Sequence, residues 1–168
     1  NYDILNQASP KPSRLKETLD RICATARKIM DADWVLVYPL LEGKRYRFDT
    51  ANASHAGGLK YPIESVITDK PSLHGITSYV LENGVLVIRN VDAGNAKVGH
   101  KRVVSNTFIQ KEGVKALIGI AIYDVQTSQP VGILYFDYRT AQDFTPLEIH
   151  HARSFASLIG YAISNTRK

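Results

Sequence analysis

Residues 115–124, KALIGIAIYD, and residues 131–138, VGILYFDY, decide the fold of this chain. Each is an almost unbroken run of β-branched, aromatic and small apolar residues, a composition that suits extended backbone. The polar connector 125–130 separates them, which is the pattern of an antiparallel hairpin with a longer connection. A strand with one wet face alternates apolar and polar residues. Near-continuous apolarity instead predicts a sheet centre covered on both faces.

Downstream of this pair, Thr145-Pro146-Leu147-Glu148 is the clearest helix start in the chain. Thr145 caps, Pro146 fits the first turn, and Glu148 completes a capping box. The helix carries Ala152, Phe155, Ala156, Ile159 and Ile163 along one stripe, with Leu158 and Ala162 widening it. It runs to Lys168 with no terminator, so it is expected to continue into a further domain.

Upstream, residues 1–12 are polar, carry Pro10 and Pro12, and read as a linker; residues 13–168 form the domain. Ser13 caps a helix reaching about Ala32, with Leu15, Leu19, Ile22, Ala26, Ile29 and Met30 at three- and four-residue spacing. Cys23 lies beside that stripe and reads as a small packed hydrophobe. Residues 34–40 (WVLVYPL) form a buried strand ending near Pro39, and 45–51 (RYRFDTA) alternate like the next strand. Residues 52–59 read as a loop or short helix, and 61–71 are irregular. Ser72 caps a second helix, 73–83, ended by Gly84 in the left-handed position. A short strand, 85–88, closes at Asn90-Val91-Asp92; 93–102 is a loop, and 103–111 is a helix stopped at Gly113.

The bulk composition excludes several classes. At 168 residues the chain suits one domain with a real core. No apolar run approaches the roughly 18 residues of a membrane span. The net charge of +5 comes from scattered basic residues rather than a clustered run, which argues against nucleic acid as partner. One cysteine leaves no internal disulfide, and that count fits a reducing, cytoplasmic setting. The first residues show neither an initiator Met nor a signal pattern, as expected of a piece of a longer chain.

Three blocks in order resemble the GAF family. The first is Gly75-Ile-Thr-Ser-Tyr-Val-Leu-Glu-Asn-Gly84 followed by Val85-Leu-Val-Ile-Arg-Asn-Val-Asp92. The second is Val114-Lys-Ala-Leu-Ile-Gly-Ile-Ala-Ile122, with Ala121 where the family often has Pro. The third is Val131-Gly-Ile-Leu-Tyr-Phe-Asp137 followed by Phe144-Thr-Pro-Leu-Glu148. The resemblance implies an α/β (α+β) fold: a central antiparallel sheet, the terminal helices on one face, and pocket-forming helices and loops on the other. It also implies a sensory, regulatory domain of a larger signalling protein, of the sensor kinase, cyclase, phosphodiesterase or transcriptional regulator type. The first and last helices would join two copies in a homodimer.

Relatives of this kind use the pocket for cyclic nucleotides, bilins or haem, and many bind nothing. Residues 103–110 contain no Cys, which excludes the usual covalent bilin attachment there, and a lone Cys23 does not fit a multi-cysteine methionine sulfoxide reductase. His55, His74, His100, His150 and His151 are haem-ligand candidates by type only; His150 and His151 point about 100° apart on a helix. Lys97, Lys101, Arg102 and Lys111 could serve an anion, but the phosphodiesterase-type nucleotide signature is missing. The pocket is expected near His74, Ile76, Tyr79, Asp92, Phe108 and Ile120, its ligand and any cofactor open. Asp92 has a rival role closing a turn. The alternative is a ligand-free dimerisation and interaction module whose pocket is filled by Tyr79 and Phe108.

Overall fold

The structure, a computed structural model, describes residues 13–44, 46–63 and 75–167. Helix α1 (Arg14–Met30) begins where Ser13 Oγ accepts the Lys16 N–H at 3.0 Å, and ends at Asp31 in the left-handed region. The stripe turns inward with Leu15, Leu19, Cys23, Ala26 and Met30 buried, while Ile29 is 58% exposed. Cys23 thus belongs to the stripe rather than beside it. Strand β1 (Trp34–Pro39) is buried at every position.

The next strand differs from the expectation. Residues 46–51 contribute only a lone bridge, Leu40 to Phe48, and a 3-10 turn at Thr50–Asn52. The strand that pairs with β1 is β2 (Ser54–Gly57). Apart from His55 its residues are small, and α1 lies close over its end: a Cβ on Gly57 would sit 2.2 Å from the Asp33 carbonyl and 2.8 Å from Arg27 Cδ. Gly57 also holds a φ of +110°, which glycine alone adopts without strain. Close approach, not alternation, selects the pairing segment.

Helix α2 (Ile76–Asn83) starts from Gly75 and ends at Gly84, φ +91°. The expected cap Ser72 and the residues Leu73 and His74 lie outside the described residues. Strand β3 (Val85–Ile88) follows as expected. The expected loop 93–102 holds a small ribbon, β4 (Lys97–Val98) with β5 (Lys101–Arg102). The expected helix 103–111 is split into a 3-10 turn at Val103–Ser105 and α3 (Thr107–Glu112). Asn106 causes the break: its Oδ1 accepts the Ile109 N–H at 3.1 Å, so it caps α3 instead of continuing a longer helix.

Strands β6 (Ala116–Tyr123) and β7 (Pro130–Tyr138) form the antiparallel pair at the sheet centre. The five-stranded order is β2-β1-β7-β6-β3, antiparallel throughout. Helix α4 (Pro146–Thr166) carries the full capping box: Thr145 Oγ1 accepts the Glu148 N–H at 3.1 Å, and the Glu148 carboxylate accepts the Thr145 N–H at 3.2 Å. Both sheet faces are dry. Val35, Val37, Ile118, Ile120, Ile122, Leu134 and Phe136 meet α1 and α4 on one face. Trp34, Leu36, Tyr38, Leu117, Ile133 and Tyr135 meet α2, α3 and the loops on the other.

Candidate functional site

Strand parity places the site. On β7, Ile133, Tyr135 and Asp137 project away from the terminal helices, on the face shared with Leu36 and Tyr38 of β1 and Leu117 of β6. There Tyr135 and Asp137 border a cavity of about 160 Å³, closed by Ile76 and Thr77 of α2 and by Asn106, Phe108 and Ile109 at the start of α3. Gly119 makes room for this arrangement. A Cβ there would meet the Tyr135 ring at 2.9 Å and Val80 Cγ2 at 3.0 Å. With hydrogen at that position, the Tyr135 ring crosses β6 and its hydroxyl reaches Thr77 Oγ1 at 2.7 Å, tying sheet to α2.

Asp137 is the charged side chain of the cavity wall and is 2% exposed. Burial pushes its carboxyl up to about 8. Trp34, its cross-strand neighbour, pulls the other way, and the Glu112 carboxylate adds to the rise. The Trp34 indole Nε1 is buried and falls short of hydrogen-bond geometry with any described partner, so it offsets the desolvation only in part. Glu112, itself fully buried, is satisfied elsewhere: it accepts the Lys60 N–H at 2.6 and 2.9 Å and lies 3.6 Å from the Arg139 guanidinium. Arg139 in turn stacks on the Trp34 ring at 4.5 Å and donates to the Gly58 carbonyl at 2.8 Å. Among the described residues, Asp137 therefore faces the cavity without a cation of its own. Tyr38 and Tyr135 are driven upward by the same dry surroundings and stay neutral.

Of the six residues singled out in the sequence, Ile76 and Phe108 meet at this cavity. Tyr79 borders a separate shallow cleft with Glu82, Val98 and His100. Asp92 lies outside it: its side chain is 53% exposed, pairs with Lys115 at 3.1 Å, and its N–H donates to Asn90 Oδ1 in the turn. Ile120 points to the opposite face, into the core under the terminal helices, and is no wall of the cavity. His74 lies outside the described residues. None of His55, His100, His150 and His151 borders the cavity, nor do Lys97, Lys101, Arg102 or Lys111. The lining residues missed were Leu36, Tyr38, Thr77, Asn106, Ile109, Leu117, Tyr135 and Asp137. One signal for Asp137 was available: it is the acid inside an otherwise apolar strand.

Of the larger hollows, two of about 840 and 860 Å³ are open grooves at the sheet rim and between α1 and α4, and the cleft beside Tyr79 is about 430 Å³. Asp124 at the rim is consumed by its own turn and by α4, accepting from Gln126 and Thr127 N–H and from the Ser164 hydroxyl. Cys23 is on the far side of the sheet, fully buried, its thiol pushed up to about 12 by desolvation. Among the described residues no helix is long and apolar enough to cross a membrane.

The fold is shared with many solved structures. A domain assigned to a two-component sensor histidine kinase of Sinorhizobium meliloti 1021 is 19% identical, with a TM-score of 0.67 over 92% of this chain and 94% of that one. The photoproduct state of GAF3 from Slr1393 of Synechocystis is 15% identical, with a TM-score of 0.68 over 91% and 95%. Free methionine-R-sulfoxide reductase of Neisseria meningitidis is 15% identical, with a TM-score of 0.64 over 95% and 84%, so the same fold also serves an enzyme. No curated protein matches the sequence. The GAF domain family model, however, matches residues 14–163, spanning α1, the whole sheet, most of α4 and the cavity between β7 and α2. By that match and that architecture, the chain belongs to the GAF domain family.

Proposed function

We propose that this GAF domain is a regulatory, small-molecule-sensing module of a larger signalling protein, with the cavity over Asp137 as its ligand site. The observation that carries the reading is a buried carboxyl, without a cation beside it among the described residues, set among apolar and aromatic walls. That is the usual composition of a small-molecule site. The cavity touches both β7 and the start of α3, so an occupant would couple the sheet centre to a loop-rich face. A binding role is favoured over catalysis because Cys23 is desolvated and remote, and because the Thr77 and Tyr135 hydroxyls are bonded to each other.

One observation favours a second reading. A volume of about 160 Å³ lies below the roughly 300 Å³ where ordinary ligand sites begin. In that reading the domain is a ligand-free dimerisation module. Leu158 and Tyr161, 50% and 56% exposed beside the groove between α1 and α4, would form a homodimer contact. Native mass spectrometry of protein purified from cells, with a thermal-shift screen of amines, alcohols, acids and nucleotides, separates the two. The sensor reading expects a small molecule whose stabilising effect disappears in Ile76→Phe, which fills the cavity. If no compound shifts the melting temperature, and Leu158→Glu converts a dimer to monomer in sedimentation, the module reading replaces it.

A further inference from the structure

We propose that the cavity selects a small organic cation, a primary ammonium group on a compact apolar or aromatic body. The inference rests on reading the cavity as a ligand site. Four observations on the cavity and its surroundings support it. Asp137 is its charged group, and no Lys, Arg or His among the described residues borders it; Lys101 and Arg102 line a neighbouring hollow that shares Ile76 and Asn106 with it. Glu112 adds a second negative charge nearby, and Arg139, which lies beside it, is engaged by Glu112, the Trp34 face and the Gly58 carbonyl. Tyr38, Phe108 and Tyr135 offer aromatic surface, which attracts a cation through the ring quadrupole. The volume admits a body about the size of benzene and excludes a nucleotide or tetrapyrrole.

The proton on Asp137 occupies the place that an ammonium would take. On binding, the Asp137 carboxylic acid and a free alkylammonium ion become a carboxylate–ammonium ion pair. One proton leaves the carboxyl oxygen for solvent, the ammonium keeps all of its own, and no bond to carbon changes. The groups facing Asp137 are Trp34 and Tyr38 from β1, Tyr135 from its own strand and Glu112 from α3. The two tyrosines, raised well above neutrality, stay protonated through the range, and Glu112 is held by the Lys60 N–H and Arg139. Asp137 is therefore the group that titrates on binding. With its carboxyl at about 8, affinity for an ammonium falls about fifty-fold between pH 8 and pH 6, because the ionised form becomes scarce.

The test is isothermal titration calorimetry of the full 168-residue chain with benzylamine, benzyl alcohol and benzoate, at pH 6, 7 and 8 and in buffers of different ionisation enthalpy. Benzylamine is expected to bind tightest, to strengthen about fifty-fold from pH 6 to pH 8, and to release close to one proton at pH 7. Asp137→Asn should lose benzylamine by about 100-fold or more while keeping benzyl alcohol. Equal or tighter binding of the alcohol or benzoate overturns the cation class and leaves the cavity a ligand site. A benzylamine affinity independent of pH in the unaltered chain overturns the role of Asp137. Failure of all three compounds to bind at millimolar concentration overturns the proposal together with the ligand-site reading.

Discussion

Replacing Asp137 by Asn should stabilise this domain, and by more as the pH rises. In the folded chain the carboxyl ionises at about 8 against 3.8 when exposed, because burial between β1, β6 and α3 penalises the charge. The folded state therefore holds a proton that the unfolded state has released. Stability is unaffected below pH 3.8, declines as the pH rises through the interval between the two values, and levels off above about 8. At about 1.4 kcal/mol per pK unit, the loss accumulated by pH 5 is about 2 kcal/mol, and by pH 9 it is about 6. The change between those two pH values is about 4 kcal/mol. Asparagine is nearly isosteric, cannot ionise, and keeps a polar atom toward the cavity. The chain has a single tryptophan, Trp34, fully buried beside Asp137, so its fluorescence reports unfolding directly. Urea titrations of both proteins at pH 5, 7 and 9 should show the stability gap widening by about 4 kcal/mol. Other ionisable groups are common to both chains and cancel in the comparison. Parallel pH profiles, with a gap that changes by less than about 1 kcal/mol, would refute the burial argument.

Further outcomes follow from packing and capping. Gly160→Ala should lower the melting temperature: a Cβ would sit 2.5 Å from the Tyr123 carbonyl oxygen, and overpacking of about 1–3 kcal/mol outweighs the helix-propensity gain of about 1. A circular-dichroism melt at or above that of the unaltered chain would sink this claim. Thr145→Ala removes the cap on α4 and should cost about 1 kcal/mol in urea unfolding, whereas Thr145→Ser should restore most of it. Cys23 should resist dithionitrobenzoate in the native chain and react only on unfolding; rapid native labelling would contradict its fully buried, high-pKa setting.

Local chemistry made much of the fold legible. The capping box at Thr145 and Glu148, the cap at Ser13, and the glycine stops at Gly84 and Gly113 act within a few residues, and the structure forms each of them. The 115–124 and 131–138 runs pair as an antiparallel hairpin covered on both faces. Where a local pattern was outweighed, tertiary contact did it. Residues 45–51 alternate convincingly, yet 54–57 pair with β1, where the Asp33 carbonyl and Arg27 of α1 leave no room for a Cβ at Gly57.

By itself, then, the sequence determined the order of the main helices and central strands, several helix ends, the two-faced sheet and the family likeness, all of which depend on short-range pattern. Only the tertiary structure decided which face of that sheet carries the cavity. Both parities of β6 and β7 are apolar, so the pattern alone offers no way to assign them. Ile120 was placed with the pocket and lies under the terminal helices; Asp137, two residues from Tyr135, lies over the cavity. That assignment comes from the register with Trp34 and Leu117 and from the packing of α2 across Gly119. A buried charge is visible in a sequence as a residue type; its burial, and hence its chemistry, exists only once the neighbouring strands and helices close around it.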